Sequence, residues 1–172
     1  MKHRLAVVAD AAAIADLHLA SWRSAYKGFV RPGTLEALEQ HGHASVWSRR
    51  IVVPEVRVEL LEGRQGLLAF CAHGPSGDPD APPGPKDRWW EIKNLHVRPE
   101  LRRTGAGGRL FDRAVSHARS VAAAAVTLWV VEQNDAARNF YLSKGMVSDG
   151  ATTTHVVGTD DSIPVVRYRL PL

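Results

Sequence analysis

Apolar and polar positions recur along the chain in two periods, one typical of strands and one typical of helices. Short, largely apolar runs predict strands over residues 4–8, 56–62, 65–74, 89–97, 125–131, 152–157 and 165–170. The second and third of these runs are typical of a hairpin that turns near Gly63. Apolar positions three and four residues apart predict four helices. The first covers 11–26 with Asp10 as its N-cap, and the second covers 34–50. The third begins in the turn after Val97 and ends at about 122, and the fourth runs from 135 until Gly145 stops it. The mixture predicts an α/β fold with a mixed sheet.

The first helix carries an apolar face that polar residues interrupt. The stripe expected to face inward consists of Ile14, Leu17, His18, Ser21, Trp22 and Ala25. His18 and Ser21 therefore need polar partners, because buried polar groups are normally hydrogen-bonded. Two interpretations remain open at this point: two satisfied polar groups in a core, or a helix end that forms the wall of a wet cleft.

The chain has the organisation of one domain. Its 172 residues, of which 45% are apolar, can bury a core of their own, so we expect a single domain over residues 1–172. Residues 74–87, GPSGDPDAPPGPKD, are too rich in Pro, Gly and Asp for a strand or helix to persist, and predict a mobile surface loop.

Composition narrows the possible locations and partners. The sequence has no apolar run of bilayer length, and its beginning, MKHRLAVVAD, turns polar too early for a signal peptide, so we expect a cytoplasmic protein without membrane contact. The net charge of +4 and pI near 9.6 suit an anionic ligand, but the basic residues are scattered, and we expect no nucleic-acid partner. The eight histidines are scattered too, which argues against a metal site, and the single Cys71 lies in an apolar run typical of a buried side chain.

The segment VRPELRRTGAGGRLF, which follows the predicted strand 89–97, has the build of a phosphate-binding turn. Gly105, Gly107 and Gly108 allow close backbone approach, and the first turn of the following helix has N–H groups without intrahelical partners. The helix dipole favours an anion at that end, and nearby arginines supply charge-assisted hydrogen bonds. Two nucleotide motifs are excluded by spacing: a Walker A loop needs Lys and Ser/Thr where Arg109 and Leu110 stand, and a dinucleotide fingerprint needs a third glycine at Leu110.

A second motif, VVEQNDAARNFYLSKGM, follows after one helix and one strand. Asn134 ends the apolar run and can cap the next helix, in which apolar residues recur at helical spacing until Gly145. Tyr141 lies on this helix, where an aromatic residue that only packs in a core is the simplest alternative to a functional one.

The two motifs together resemble those of the GNAT superfamily of acetyl-CoA-dependent N-acetyltransferases. Arg102-x-x-Gly105-x-Gly107 is similar to the family's Q/R-x-x-G-x-G/A signature, and the second motif is similar to its N…A…FY…GF segment, with Met146 in the place of Phe. The resemblance covers nearly the whole chain. It implies the GNAT fold: an α/β (α+β) arrangement with a mixed, mostly antiparallel sheet flanked by helices. It also implies that strand 89–97 carries a bulge and splays from strand 125–131.

The resemblance also implies a binding site for acetyl-CoA as co-substrate, without a metal. The residues implied for the pyrophosphate are Arg102, Arg103, Thr104, Gly105, Ala106, Gly107 and Gly108. Those implied for the pantetheine arm are Leu95, His96 and Val97 through their backbone, together with Asn134, Ala137 and Tyr141.

The reaction implied is direct attack of a primary amine on the acetyl thioester, in which Tyr141 acts as general acid. Glu91 is the candidate general base, acting directly or through a water; the alternatives are a solvated glutamate at a strand end or a partner for Lys93. Strict alternation places Glu91, Lys93 and Leu95 on one face unless a bulge intervenes.

On the acceptor side, His18, Trp22 and Tyr26 are the candidates, since the segment HLASWRSAYKGF resembles a first helix that borders the acceptor site in many bacterial family members. The expected partner is a small-molecule or peptide amine, and the protein itself a monomer or homodimer. The alternatives left open are a non-catalytic acyl-CoA-binding module, another acyl donor, and a charged tRNA as substrate.

Overall fold

The protein is described by a computed structural model that covers residues 1–26, 44–64, 66–84, 88–157 and 161–172. Its strands are β1 (Lys2–Leu5), β2 (Arg57–Gly63), β3 (Gly66–Pro75), β4 (Trp89–Val97), β5 (Ala125–Val131), β6 (Val147–Val157) and β7 (Asp161–Pro171). The helices of this part of the chain are α1 (Ala11–Tyr26), α2 (Ala44–Ile51), α3 (Ala106–Ser120) and α4 (Asp135–Ser143), with 3₁₀ turns at Val8–Asp10 and Pro99–Leu101.

The strands form one sheet in the order β1-β2-β3-β4-β5-β7-β6, and every neighbouring pair is antiparallel except β4 and β5. The parallel pair is short: it runs from Trp89 opposite Ala125 to Glu91 opposite Thr127 and then ends. Both strands continue for several residues beyond this point, so a gap opens between them in the centre of the sheet. The predicted fold and the predicted splay are both confirmed.

A bulge in β4 changes which face its side chains occupy. In the pairing with β3, Asn94 lies opposite Ala72 and Ile92 opposite His73, so Lys93 is the extra residue. Before the bulge Glu91 lies on the α1 side of the sheet, and after it His96 does, whereas Leu95 packs into the core under α3. The simple alternation that groups Glu91 with Leu95 is therefore wrong, because one inserted residue reverses the phase of the strand.

Helices cover the sheet on both faces. The inward residues predicted for α3 are all buried against β4 and β5: Leu110, Phe111, Ala114, Val115 and Ala118. On the opposite face α1 and α2 pack on β2 and β3 through a second cluster that includes Ile14, Leu17, Trp47 and Phe70. The gap between β4 and β5 therefore has α3 on one face of the sheet and α1 and α2 on the other.

The sequence patterns misplace several element boundaries. The first strand is Lys2–Leu5 and not 4–8, because Arg4 donates two hydrogen bonds to Asp10 (2.6 and 2.7 Å) and the chain turns there, which leaves Val7 and Val8 exposed. Helix α3 ends at Ser120. The last two strands are longer than predicted, and β6 contains an irregularity between Ser148 and Thr152.

The second predicted helix, 34–50, is seen only as α2, and its first part lies outside the described residues. No helix in the described ranges is both long and apolar enough to cross a membrane.

The loop after β3 contains neither strand nor helix in its described part, residues 76–84, as its composition predicts. It is nevertheless anchored to the sheet. Arg167 of β7, 4% exposed, donates two hydrogen bonds to Asp80 (both 2.6 Å) and one to Asp149 (2.8 Å). Asp78 accepts a hydrogen bond from Trp129 Nε1 (2.9 Å) and lies 3.3 Å from Arg167.

Candidate active site

The turn between β4 and α3 has the backbone geometry that an anion-binding site requires. Gly105 is the N-cap of α3 in the left-handed region (φ 85°), and Arg103 also has a positive φ of 65°. The first backbone hydrogen bond of the helix runs from Arg109 N to Gly105 O (3.1 Å), so the amides of Ala106, Gly107 and Gly108 precede the intrahelical ladder. Three donors at the positive end of a helix dipole suit the oxygens of a pyrophosphate.

A side chain at Gly107 or Gly108 would crowd a neighbouring side chain. A Cβ at Gly107 would lie 3.3 Å from Val97 Cγ2, and one at Gly108 would lie 3.3 Å from Lys144 Nζ. Larger side chains at these positions would have to project over the amino end of α3 or displace a neighbour. The turn therefore fits a ligand that approaches the backbone closely.

The arginines and the threonine of the motif lie at the rim of the turn. Arg102 is exposed and reaches α1, where it donates to Ser24 Oγ (3.1 Å) and to the carbonyl of Ser21 (3.4 Å). Thr104 donates to the carbonyl of Leu101 (2.7 Å) and is exposed, as is Arg103. Arg102 thus ties the turn to α1, and direct contact of these side chains with phosphate stays a prediction.

The free edge of β4 ends next to this turn. Past Glu91, β4 keeps its pairing with β3 through Leu95, His96 and Val97 but has no pairing with β5. Backbone groups on an unpaired strand edge can bind an extended ligand as an additional strand. Val97 ends this edge and touches the position of Gly107, so the edge and the turn form one continuous surface.

The second motif forms α4 as predicted. Asn134 caps the helix through its side-chain oxygen, which accepts a hydrogen bond from Ala137 N (3.1 Å). Gly145, with φ 81°, ends it, and Met146 is 1% exposed in the core, in the packing role expected for the Phe of the family motif.

Tyr141 on α4 is partly buried among aromatic rings: its ring centre lies 5.2 Å from that of Phe140, 6.3 Å from Phe111 and 6.5 Å from Tyr168. A ring packed on three sides is held in one orientation. Its role as general acid stays a prediction.

Glu91 lies at the point where β4 and β5 separate and the gap between them begins. It forms the last residue pair before the strands separate, opposite Thr127, and its side chain is 17% exposed. Lys93, the bulge residue, donates a hydrogen bond to Glu91 Oε2 (2.5 Å). Glu91 is thus paired with Lys93, and its role as general base stays a prediction.

A cluster of rings covers the α1 side of the gap. The ring of His18 lies 4.6 Å from His96, 5.5 Å from Trp47 and 6.0 Å from both Phe70 and Trp22. Among the described residues, His18 Nε2 is buried without a hydrogen-bond partner.

Burial keeps both imidazoles of this cluster uncharged. Burial, assisted by the positive charge of Arg50, lowers the pKa of His18 to about 4. The pKa of His96 is also well below its ordinary value, chiefly through burial. Both imidazoles are therefore neutral near pH 7.

Of the two polar residues of α1, Ser21 fits the interpretation of a satisfied polar group in a core, and His18 fits that of a cleft wall. Ser21 is buried and hydrogen-bonded through Oγ to His96 Nδ1 (3.0 Å), which is a satisfied polar group. His18 lies beside the gap, as a cleft wall would. Trp22 is partly buried and packs on Val131 and its neighbours, while the side chain of Tyr26 lies outside what the structure describes.

Sequence reasoning missed one pair of residues at this site. Arg50 of α2 stacks on the Trp47 ring (5.0 Å to its centre) and donates a hydrogen bond from Nη1 to Asn94 Oδ1 of β4 (2.7 Å). The two residues are 44 positions apart, and neither belongs to a motif, so no local pattern signals their contact.

Comparisons with known proteins identify relatives of this chain. The sequence profile described as the Acetyltransferase (GNAT) family matches residues 18–146. A protein of Mycobacterium tuberculosis named a probable N-acetyltransferase is 28% identical over 173 residues, which cover 97% of this chain and 91% of that protein.

Two solved structures share the fold. One is the PaiA N-acetyltransferase of Thermoplasma acidophilum in complex with coenzyme A, with a TM-score of 0.75, 16% identity and coverage of 97% of this chain and 98% of its own. The other is a GCN5-related N-acetyltransferase of Rhodopseudomonas palustris, with a TM-score of 0.77, 18% identity and coverage of 99% and 95%. At these identities the likeness concerns the fold alone.

Proposed function

This chain belongs to the GNAT acetyltransferase family, and from that membership we propose that it is a single-domain N-acetyltransferase that transfers an acetyl group from acetyl-CoA to a primary amine. The observation that carries the proposal is the continuity of two surfaces. The unpaired edge of β4 ends at Val97, and Val97 adjoins the glycine turn at the amino end of α3. One surface suits an extended amide-containing chain and the other a pyrophosphate, and coenzyme A joins these two chemical parts in one molecule.

The residues that hold the co-substrate follow from this division. The amides of Ala106, Gly107 and Gly108 bind the pyrophosphate oxygens. The backbone of Leu95–Val97 pairs with the pantetheine arm, and Asn134 has an amide group left for that arm because only its oxygen is used in the helix cap. A backbone N–H on the free edge of β4 polarises the carbonyl of the thioester.

The chemistry is an acyl transfer that needs two proton transfers. A neutral amine attacks the thioester carbon, the new C–N bond forms, the C–S bond breaks, and the thiolate leaves with the electron pair. Tyr141 donates its proton to the thiolate, because a phenol with an ordinary pKa of ~10 is protonated at neutral pH. Glu91 takes the proton that the amine loses, directly or through a water molecule. Its position where β4 and β5 separate supports this role.

A screen of acetyl-CoA consumption over a panel of primary amines tests the proposal, with thiol release as the readout and mass spectrometry of the amine as confirmation. We expect at least one amine to gain an acetyl group at a rate that depends on enzyme concentration. Binding of acetyl-CoA without transfer to any amine would favour a non-catalytic acyl-CoA-binding module. Transfer from a longer acyl-CoA alone would favour another donor.

A further inference from the structure

We propose that Arg50, assisted by Asn94, binds a carboxylate on the acceptor, so that the amine acetylated by this protein is an amino acid. The inference rests on the proposed function and adds the substrate class to it. It starts from a guanidinium group in the acceptor cleft that has no ion-pair partner among the described residues.

Arg50 is held where an acceptor must lie. It is partly buried near the carboxyl end of α2, its guanidinium stacks on Trp47, and its Nη1 is fixed by the hydrogen bond to Asn94. Asn94 directly follows the bulge residue of β4, three residues beyond Glu91, on the same face of the sheet. The cation therefore lies beside the gap between β4 and β5, on the side opposite α3.

No carboxylate of the described residues lies within ion-pair distance of Arg50. The acidic group nearest in the cleft, Glu91, is hydrogen-bonded to Lys93 instead. Burial lowers the pKa of Arg50, and the negative charge of Glu91 only partly offsets this effect. A partly buried cation without a counter-ion is unfavourable, and an anionic ligand would relieve that cost.

The hydrogen-bonding groups left over are all donors. Arg50 donates to Asn94 through Nη1, so other N–H groups of its planar guanidinium can still donate to a ligand. Because Asn94 accepts through Oδ1, its Nδ2 group also remains as a donor. Arg50 and Asn94 are both only partly buried, so these donors lie in a region that solvent reaches. A guanidinium beside an amide N–H₂ matches the two oxygens of a carboxylate.

The charges around the cleft agree with this assignment. On its β4 and α2 side, Arg50 and Lys93 carry two positive charges and Glu91 one negative charge, while His18 and His96 are uncharged near pH 7. Among the described residues of this side one net positive charge remains, and a carboxylate balances it. Arg50 is bonded to Asn94, which lies three residues beyond Glu91 on the same face of β4, so an acceptor whose amine meets Glu91 would hold its carboxylate only a few atoms away, as an α-amino acid does.

The test compares amino acids with their α-carboxamides, which keep the amine and the side chain but lack the carboxylate. Each member of a panel of protein amino acids is paired with its amide, and kcat and KM for acetylation are measured at saturating acetyl-CoA. We expect the acids to exceed their amides in kcat/KM by roughly 10- to 100-fold, which is the range for charge-assisted hydrogen bonds. The difference should lie mainly in KM, because the carboxylate contact does not change during the reaction.

Arg50→Gln should reduce kcat/KM for the acids to the level of the amides and leave the amides unchanged. Arg50→Lys keeps the positive charge but loses the planar guanidinium, so its kcat/KM for the acids should lie between those of the wild-type protein and Arg50→Gln. Arg49→Gln is the matched control, because Arg49 is the preceding residue on α2 and is exposed. Thermal melting of all variants identifies any folding defect. The ratio of kcat/KM for an acid to that for its amide, measured within one variant, does not depend on the fraction of protein that is active.

The proposal is overturned if amides and acids are acetylated equally, if only amines without a carboxylate react, or if Arg50→Gln leaves the acid-to-amide ratio unchanged. These results are distinct from a failure of the proposed function, in which no amine of any kind is acetylated. Affinity for acetyl-CoA, measured by calorimetry, should be the same in the wild-type protein and Arg50→Gln, because Arg50 contacts neither the glycine turn nor the free edge beyond Asn94.

Discussion

Replacement of Glu59 by Gln tests how helix α3, whose amino end carries the glycine turn, is held on the sheet. Glu59 of β2 is 2% exposed, and its carboxylate accepts a hydrogen bond from Arg113 Nε of α3 (2.8 Å). Three more side chains face the carboxylate: His3 Nε2 lies 2.7 Å from one oxygen, and His73 Nε2 and Arg57 Nε lie 3.4 and 3.8 Å from the other. Trp90 donates to His73 Nδ1 (2.7 Å), so His73 presents its Nε2–H to Glu59.

The magnitude follows from the pKa of this carboxyl group. Burial alone would raise the pKa of Glu59, but hydrogen bonds from His73 and Arg113 and the charge of Arg113 outweigh burial and lower the pKa from 4.5 to about 2. At ~1.4 kcal/mol for each tenfold change in the proton equilibrium, this difference corresponds to about 3 kcal/mol of stability at neutral pH. Because the pKa is lower in the folded state, the contribution is present above pH 4.5 and is lost as the pH falls toward 2.

Urea denaturation of the wild-type protein and Glu59→Gln, followed from neutral pH into the acid range, measures this contribution. We expect Glu59→Gln to lower the free energy of unfolding by about 2–3 kcal/mol at neutral pH, and the difference to shrink as the pH falls below 4.5. Glu62→Gln is the control, since Glu62 lies on the same strand and forms a more exposed pair with Arg4 (2.6 Å) that contributes about 0–1 kcal/mol. A loss that does not depend on pH, or one no larger than that of Glu62→Gln, would refute the reasoning.

Three further substitutions test the site and its supports. Tyr141→Phe should lower kcat by about 10²-fold and leave the affinity for acetyl-CoA nearly unchanged; near-normal turnover would reduce Tyr141 to a packing residue. Glu91→Gln should weaken or shift the rising limb of the pH profile of kcat/KM for an amine of known pKa, and superimposable profiles would remove Glu91 from the mechanism. Arg167→Met should lower the free energy of unfolding by about 3–5 kcal/mol, because it leaves Asp78 and Asp149 buried without their cation; a loss below about 1 kcal/mol in urea denaturation would contradict this.

The parts of the fold that the sequence predicts well have local causes. Strands β4 and β5 match their predicted ranges to the residue, because β5 is a largely apolar run, β4 is rich in aromatic and aliphatic residues, and polar or turn residues follow both strands. The glycine turn and the Asn134 cap are also local, since each depends on the backbone preference or the hydrogen bonds of residues a few positions apart.

The features that sequence reasoning missed depend on contacts between distant segments. Asp10 ends β1 early because it binds Arg4, and the apolar residues 7 and 8 that suggest a longer strand remain on the surface. The bulge at Lys93 has no sequence pattern of its own, yet it decides which side chains face the cleft. Arg50 meets Asn94 across 44 residues, and local periodicity carries no information about such a pair.

The central claim, that acetyl-CoA binds against the glycine turn, is tested most directly by calorimetric titration of acetyl-CoA into three proteins: wild type, Gly107→Glu and Gly77→Glu. A Cβ at Gly107, in the turn proposed to bind the pyrophosphate, would lie 3.3 Å from Val97 Cγ2, whereas a Cβ at Gly77 meets nothing within 4 Å. Both variants add the same negative side chain. The account predicts that wild type and Gly77→Glu bind with equal affinity and that Gly107→Glu shows no binding. Unchanged affinity in Gly107→Glu would contradict it.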